Sequence, residues 1–206
     1  MTPRRAPPLK RHLRRIGILG GSFNPAHQGH RHISLQALKR LRLDEVWWLV
    51  SPQNPLKPQA GMAPFEARIE SAQKVADHPR IRVTDVEKGL GTTYTAETLA
   101  RLVRRFPNHR FVWLMGADNL AQISRWNHWT RIFQTVPVAV FDRPTYSLGA
   151  LSGRAARRFH RERIKESRAG RLADMRPPAW VFLHTPLNAT SATALRARGL
   201  FRRPGG

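Results

Sequence analysis

The sequence predicts an α/β fold: a Rossmann-like, doubly wound parallel sheet in a single domain with a C-terminal helical extension. Three observations predict it. Short apolar runs alternate with amphipathic stretches along the chain, the pattern of a parallel sheet with helices on both faces. Glycine- or proline-bearing turns follow several of the apolar runs. The 206 residues suffice for one such domain with a sizeable core and leave little room for a second.

The elements follow in order. Arg15 to Leu19 is the first expected strand. His27 to Leu41 is a helix, with Ile33, Leu35, Leu38 and Leu41 near one face. Val46 to Val50 is a second strand, ended by Ser51-Pro52, and Pro64 to Ala76 is a helix with proline near its first turn. Ile81 to Val86 is a third strand. Thr95 to Phe106 is a helix that Pro107-Asn108 breaks. Phe111 to Met115 is a fourth strand, leading into Gly116-Ala117-Asp118. Thr130 to Gln134 is a short helix, Val136 to Phe141 a fifth strand, Trp180 to Leu183 a sixth, and Ala192 to Arg198 a last short helix. Residues 151–178 are the least periodic and read as a basic insertion or flexible loop. In such a sheet the ligand sits beyond the C-terminal ends of the strands, at the switch point. The turns after strands one, two and four all lie on that edge.

Composition bounds the function. Thirty-six Lys plus Arg stand against 13 Asp plus Glu, a net charge of +23. The first fifteen residues carry six basic side chains and no acidic one, and Leu151 to Arg176 carries nine against three. Such a chain attracts polyanions. The basic runs lack interleaved aromatics that stack on bases, so an anionic small substrate is the preferred reading over a specific nucleic acid. Residues 1–14 read as a basic disordered leader; the apolar run behind them, Ile16 to Leu19, is too short for a signal peptide. No run of eighteen apolar residues exists, so no membrane span is expected. With no cysteine, disulfides and thiolate chemistry are excluded, and a cytoplasmic location is the default expectation. Monomer and homo-oligomer stay open.

The richest segment is GGSFNPAHQGH, Gly20 to His30. It is neither a Walker A loop nor a G-x-G-x-x-G fingerprint. A strand that ends in glycines and turns into a helix start offers backbone N–H groups to a phosphate. Gly20 and Gly21 allow close approach of the backbone, and Asn24-Pro25 makes a turn. Gly29 leaves a bare surface between His27 and His30, which at i and i+3 are expected on one helix face, gripping one anion. A zinc ion needs three or four ligands, and no third ligand stands at a plausible local spacing, so no protein-held metal is expected.

GGSFNPAHQGH resembles the H-x-G-H signature of the nucleotidylyltransferase superfamily. Thr190-Ser191-Ala192-Thr193-Ala194-Leu195-Arg196 resembles its S-S-T-x-[IV]-R segment, with Ala192 in place of the middle hydroxyl residue. Further segments resemble the bacterial nicotinate-nucleotide adenylyltransferases: Ser51 to Lys57, Thr93 to Leu99, Gly116 to Leu120 with Trp126 and Trp129 behind it, and Arg143-Pro144. They stand in the family's order and cover roughly Ile16 to Gly199. Residues 15–206 would then form the nucleotidylyltransferase domain. The length and the Trp126/Trp129 segment favour this family over pantetheine-phosphate adenylyltransferases. The resemblance leaves the preference between nicotinate and nicotinamide mononucleotide open.

The resemblance implies attack by the 5′-phosphate of nicotinate mononucleotide on the α-phosphorus of ATP, giving deamido-NAD and pyrophosphate, with Mg²⁺ entering alongside ATP. His27, His30 and Arg196 are the implied catalytic residues. Gly20, Gly21, Ser22, Phe23, Gly116, Asp118, Ser191 and Thr193 join them in binding ATP. Lys57, Thr93 and Trp126 would bind the mononucleotide, Trp126 by stacking on the pyridine ring. Arg143 is left without a role. The implied partners are these two small molecules, with no specific nucleic acid and no membrane.

Overall fold

The computed structural model describes residues 13–52, 62–143 and 147–185, with side chains 147 and 148 excepted. Lys57, Ser191, Thr193, Arg196, the expected helix Ala192 to Arg198 and residues 1–12 lie outside them. In chain order the described elements are β1 (Arg14–Gly21), α1 (Gln28–Arg40), β2 (Glu45–Val50), α2 (Phe65–Ala76), β3 (Ile81–Thr84), α3 (Val86–Leu90) and α4 (Thr95–Arg105). There follow β4 (His109–Gly116), α5 (Ala117–Gln122), α6 (Trp129–Thr135), β5 (Val138–Phe141), α7 (Ser147–Leu151), α8 (Arg154–Arg158) and β6 (Trp180–Leu183).

The six strands form one sheet in the order β3-β2-β1-β4-β5-β6, and every neighbouring pair is parallel. This is the doubly wound order, and the direction in which strands are added to the sheet reverses between β1 and β4. The strands are apolar because both faces are covered. Side chains alternate between two cores. Leu19, Val46, Trp48, Leu114 and Phe141 pack with Ala37 and Leu38 of α1 and Ala72 of α2. Ile16, Ile18, Trp113, Val138 and Val140 pack with Leu99 and Leu102 of α4 and Phe133 of α6.

Element ends differ from the sequence expectation for local reasons. The first strand runs on through its glycines, since Gly20 and Gly21 pair with Leu49 and Val50. The third strand stops at Thr84, whose hydroxyl accepts the Val86 N–H at 3.1 Å; Val86 therefore opens α3 instead of ending a strand. Val136 donates its N–H back to Ile132 at 3.3 Å and closes α6, so the fifth strand begins at Val138.

Residues 151–178 wrap the β6 edge of the sheet. Ala155, Ala156 and Phe159 join the second core, while Ala169, Leu172 and Ala173 join the first. Between them, Ile164 donates its N–H to Trp180 O at 2.8 Å, and Trp180 Nε1 donates to Phe159 O at 2.6 Å. Edge coverage of this kind removes a site for pairing with another chain.

Candidate active site

The site is built at the C-terminal ends of β1, β2, β4 and β5. The turn after β1 comes first. Phe23 takes a left-handed backbone (φ 45°), a conformation that costs on the order of 1 kcal/mol for a residue with a side chain. Its ring is buried and stacks on Trp48 of β2 at 5.0 Å and 15°. That packing holds the turn. Trp48 Nε1 donates to Ser34 Oγ at 2.7 Å, and Ser34 Oγ donates to the His30 carbonyl at 2.9 Å. The indole of the second strand thus supports the first turn of α1.

The histidines are not two residues on one helix face, as i, i+3 spacing suggested. His27 is the N-cap of α1 with extended backbone, and His30 is its third residue. His27 Nδ1 accepts the Gly29 N–H at 3.1 Å, and His30 Nδ1 accepts the His27 N–H at 3.2 Å. This is a capping box with imidazoles in the places of a hydroxyl and a carboxylate. It satisfies helix-start amides that otherwise lack partners. It also fixes the tautomers: with both Nδ1 atoms accepting, the neutral rings carry their protons on Nε2. The two rings lie 3.8 Å apart, centroid to centroid. Burial, and then the positive charge of Arg143, lower the His27 pKa to about 4, so this ring is neutral at neutral pH.

Arg143, after β5, donates from Nη1 to Asp118 Oδ2 at 2.9 Å. Asp118 stands in the first turn of α5 but does not cap it; Gly116 is the N-cap. A Cβ at Gly116 would stand 2.3 Å from Asp118 Oδ1 and 3.2 Å from Arg143 Cδ. The glycine that ends β4 therefore makes room for the ion pair. Asp118 Oδ1 is buried and has no hydrogen-bond partner among the described residues.

A cleft of about 460 Å³ opens at the ends of β1, β2 and β4, beside α3 and the start of α4; Ser22, Phe23, His27, His30, Gly116 and Asp118 are not among its described lining residues. Gly20, Gly21, Ser51 and Trp113 line it on the sheet side, Glu87, Thr93, Tyr94 and Thr95 on another, and Arg125, Trp126 and Asn127 on a third. Gly20 is required by Trp113, whose Cη2 lies 2.5 Å from a Cβ built there; a Cβ at Gly21 meets nothing closer than 3.5 Å. Thr93 and Trp126, both singled out in the sequence, face the same space. Trp129 does not: its ring packs edge-on against Phe133 and Phe159 at 6.4 and 5.9 Å.

The threonine loop is tied down from below. Thr98 Oγ1 donates to Glu87 Oε1 at 3.0 Å and contacts Thr92 Oγ1 at 2.8 Å. Burial raises the Glu87 pKa against the opposing hydrogen bonds of Thr98 and Ser51. Sequence reading missed Glu87, Trp113 and Arg125, which carry no local motif. It flagged Arg143 without a role, and the ion pair with Asp118 supplies one.

Among the described residues no group of three His, Cys, Asp or Glu side chains is arranged to hold a metal ion. No described helix is long and apolar enough to cross a membrane.

A 3-2-1-4-5-6 parallel sheet with an H-x-G-H turn at its switch point defines a nucleotidyltransferase-type α/β protein. The cytidylyltransferase-like family model matches residues 18–198. A relative from Cereibacter sphaeroides named "Probable nicotinate-nucleotide adenylyltransferase" is 56% identical over 91% of this chain and 99% of its own length. A relative of the same name from Methylorubrum extorquens is 55% identical over 89% of this chain and 100% of its own length. A solved structure of Plasmodium falciparum nicotinic acid mononucleotide adenylyltransferase, complexed with NaAD, shares the fold at TM-score 0.66 and 18% identity. The match covers 89% of this chain and 83% of that one. The chain belongs to the cytidylyltransferase-like family and, within it, to the nicotinate-nucleotide adenylyltransferases.

Proposed function

We propose that this chain transfers the AMP group of ATP to nicotinate mononucleotide, releasing pyrophosphate and forming deamido-NAD. The observation that carries the reading is a cleft at the β1–β4 switch. It joins the glycines leading to the histidine turn, Gly20 and Gly21, to Thr93 and Trp126. The names of the relatives supply the acceptor, a nicotinate nucleotide, and the adenylyl group that is transferred.

The nucleophile is already an anionic phosphate oxygen, so no general base is required. Catalysis then rests on positioning and on stabilising charge at the transferring phosphorus and the leaving pyrophosphate. The Nε2–H groups of His27 and His30 donate to ATP phosphate oxygens. Gly20, Gly21, Ser22 and Phe23 bring main chain close to the α-phosphate. Ser191, Thr193 and Arg196 take the β- and γ-phosphates, Arg196 by its forked guanidinium. Gly116 and Asp118 complete the nucleotide side, with Arg143 holding Asp118. Lys57 takes the mononucleotide phosphate, Thr93 lies along the pyridine subsite, and Trp126 stacks on the ring.

Mg²⁺ arrives as part of the substrate MgATP, bound by phosphates and water, and supplies charge neutralisation. The proposed location is the cytoplasm, and the proposed partners are the two nucleotides alone. The test supplies ATP, Mg²⁺ and either nicotinate or nicotinamide mononucleotide and follows pyrophosphate release. Turnover with the nicotinate form supports the reading, and its absence refutes it.

A further inference from the structure

Arg68 of α2 is a buried cation whose hydrogen bonds go to neutral main chain. Its side chain is 1% exposed. Nη1 donates to Ser22 O at 2.8 Å and to Ser51 O at 2.7 Å; Nη2 donates to Pro52 O at 3.0 Å; Nε donates to Ala63 O at 3.1 Å. Four of the five guanidinium hydrogens are thereby spent on four carbonyls. The Ala63 N–H donates in turn to Asn24 Oδ1 at 3.2 Å, so the start of α2 is tied twice to the turn after β1.

These carbonyls belong to three segments with different work. Ser22 and Asn24 lie in the turn that leads to His27 and His30. Ser51 lines the cleft at the end of β2, and Pro52 follows it. Ala63 leads into α2. A planar fork with donors in fixed directions can hold three segments at one point; a lysine ammonium offers three donors from one atom and cannot match that layout. Burying a guanidinium without a carboxylate to pair it is costly, and a simple packing role would be met by an aliphatic side chain.

We propose that Arg68 is a positioning residue for adenylyl transfer, setting the histidine-bearing turn against the β2 end of the cleft and so the distance between the two bound substrates. The inference rests on the reaction proposed above. In-line attack needs the reacting atoms about 3–3.5 Å apart, and misplacement by about 1 Å costs on the order of a hundredfold in rate. Arg68 touches neither substrate; it acts through the segments that do.

The test uses the full-length protein with Arg68→Lys and Arg68→Met, alone and combined with His30→Ala. Folded fraction is measured by circular dichroism, and kcat and both KM values by pyrophosphate release. Arg68→Lys keeps the buried charge and is the variant of record if Arg68→Met does not fold. The expected result, per folded molecule, is a fall of about thirty- to a hundredfold in kcat, with each KM changed less than about threefold. In the His30→Ala background the Arg68→Lys loss shrinks to less than about threefold, because both changes disable the same placement. Two results overturn the inference: kcat per folded molecule unchanged in Arg68→Lys, or a loss that multiplies in full with that of His30→Ala. If the wild-type protein shows no turnover in the same assay, the proposed reaction fails instead.

Discussion

His27 and His30 hold one another in place: the His27 N–H donates to His30 Nδ1 at 3.2 Å while their rings lie 3.8 Å apart. One pair of side chains therefore caps a helix and presents two Nε2–H donors. The two jobs separate by mutation. His30→Ala removes a donor proposed for the transferring phosphate and should lower kcat on the order of a hundredfold, with a smaller loss of stability. His27→Ala should show the same loss of rate and also cost about 1 kcal/mol in denaturant unfolding. His27→Asn, which can still cap, should recover most of the stability and little of the rate.

The neutral His27 makes a statement about acid. Its folded pKa, about 4, lies below the ordinary value of 6.5. Between those values the unfolded chain holds the proton and the folded chain does not. This residue's contribution to stability is therefore lost as pH falls from about 6.5 to about 4, by up to about 1.4 kcal/mol per pH unit, and levels off below. Unfolding curves of wild type and His27→Asn should diverge across that window and run parallel at pH 7 to 8. Arg143→Met removes one cause of the depression and should raise the His27 pKa toward 6.5 in an NMR titration.

Gly116 and the Asp118–Arg143 pair form one unit. Gly116→Ala places a methyl where Asp118 Oδ1 sits, at 2.3 Å. The pair must shift, and the charge of Arg143 acts on His27, a residue proposed to hold ATP. The expected result is a rise of tenfold or more in the KM for ATP, on the order of 1.4 kcal/mol, in kinetics per folded molecule.

Two adjacent glycines have opposite predicted phenotypes. Gly20→Ala drives a Cβ into the Trp113 ring at 2.5 Å and should destabilise the fold by about 1–3 kcal/mol. Gly21→Ala finds ordinary contact distances and should leave the melting temperature nearly unchanged. Its cost should appear as weaker ATP binding by calorimetry, since the methyl intrudes on the approach to phosphate.

The two tryptophans after α5 divide likewise. Trp126 lines the cleft, whereas Trp129 packs on Phe133 and Phe159. Trp126→Ala should raise the KM for the mononucleotide about tenfold with little loss of stability. Trp129→Ala should do the reverse, costing on the order of 2 kcal/mol of stability.

Much of the framework was legible because it is written in local patterns. Apolar runs gave the six strands, and the turn at Gly20 to His30 announced itself through its glycines and histidines. Periodicity could not show that His27 stands outside the helix, because capping depends on backbone angles and not on spacing. Arg143 was visible as a residue but not as the partner of Asp118, 25 positions away. Arg68 left a faint trace: it shares the buried stripe of Ala72 and Ala76, where a cation is out of place. Glu87 and Trp113 left none, since each acquires its place only when strands and loops distant in sequence meet.

The proposed reaction moves the α-phosphorus of ATP onto nicotinate mononucleotide. The most direct test incubates the protein with Mg²⁺, nicotinate mononucleotide and ATP labelled at the α-phosphorus, then separates the products. Label is expected in a dinucleotide that co-migrates with deamido-NAD, matched by an equal amount of unlabelled pyrophosphate, with loss of both in His30→Ala. Label that stays in ATP, or appears only in free AMP, would contradict it.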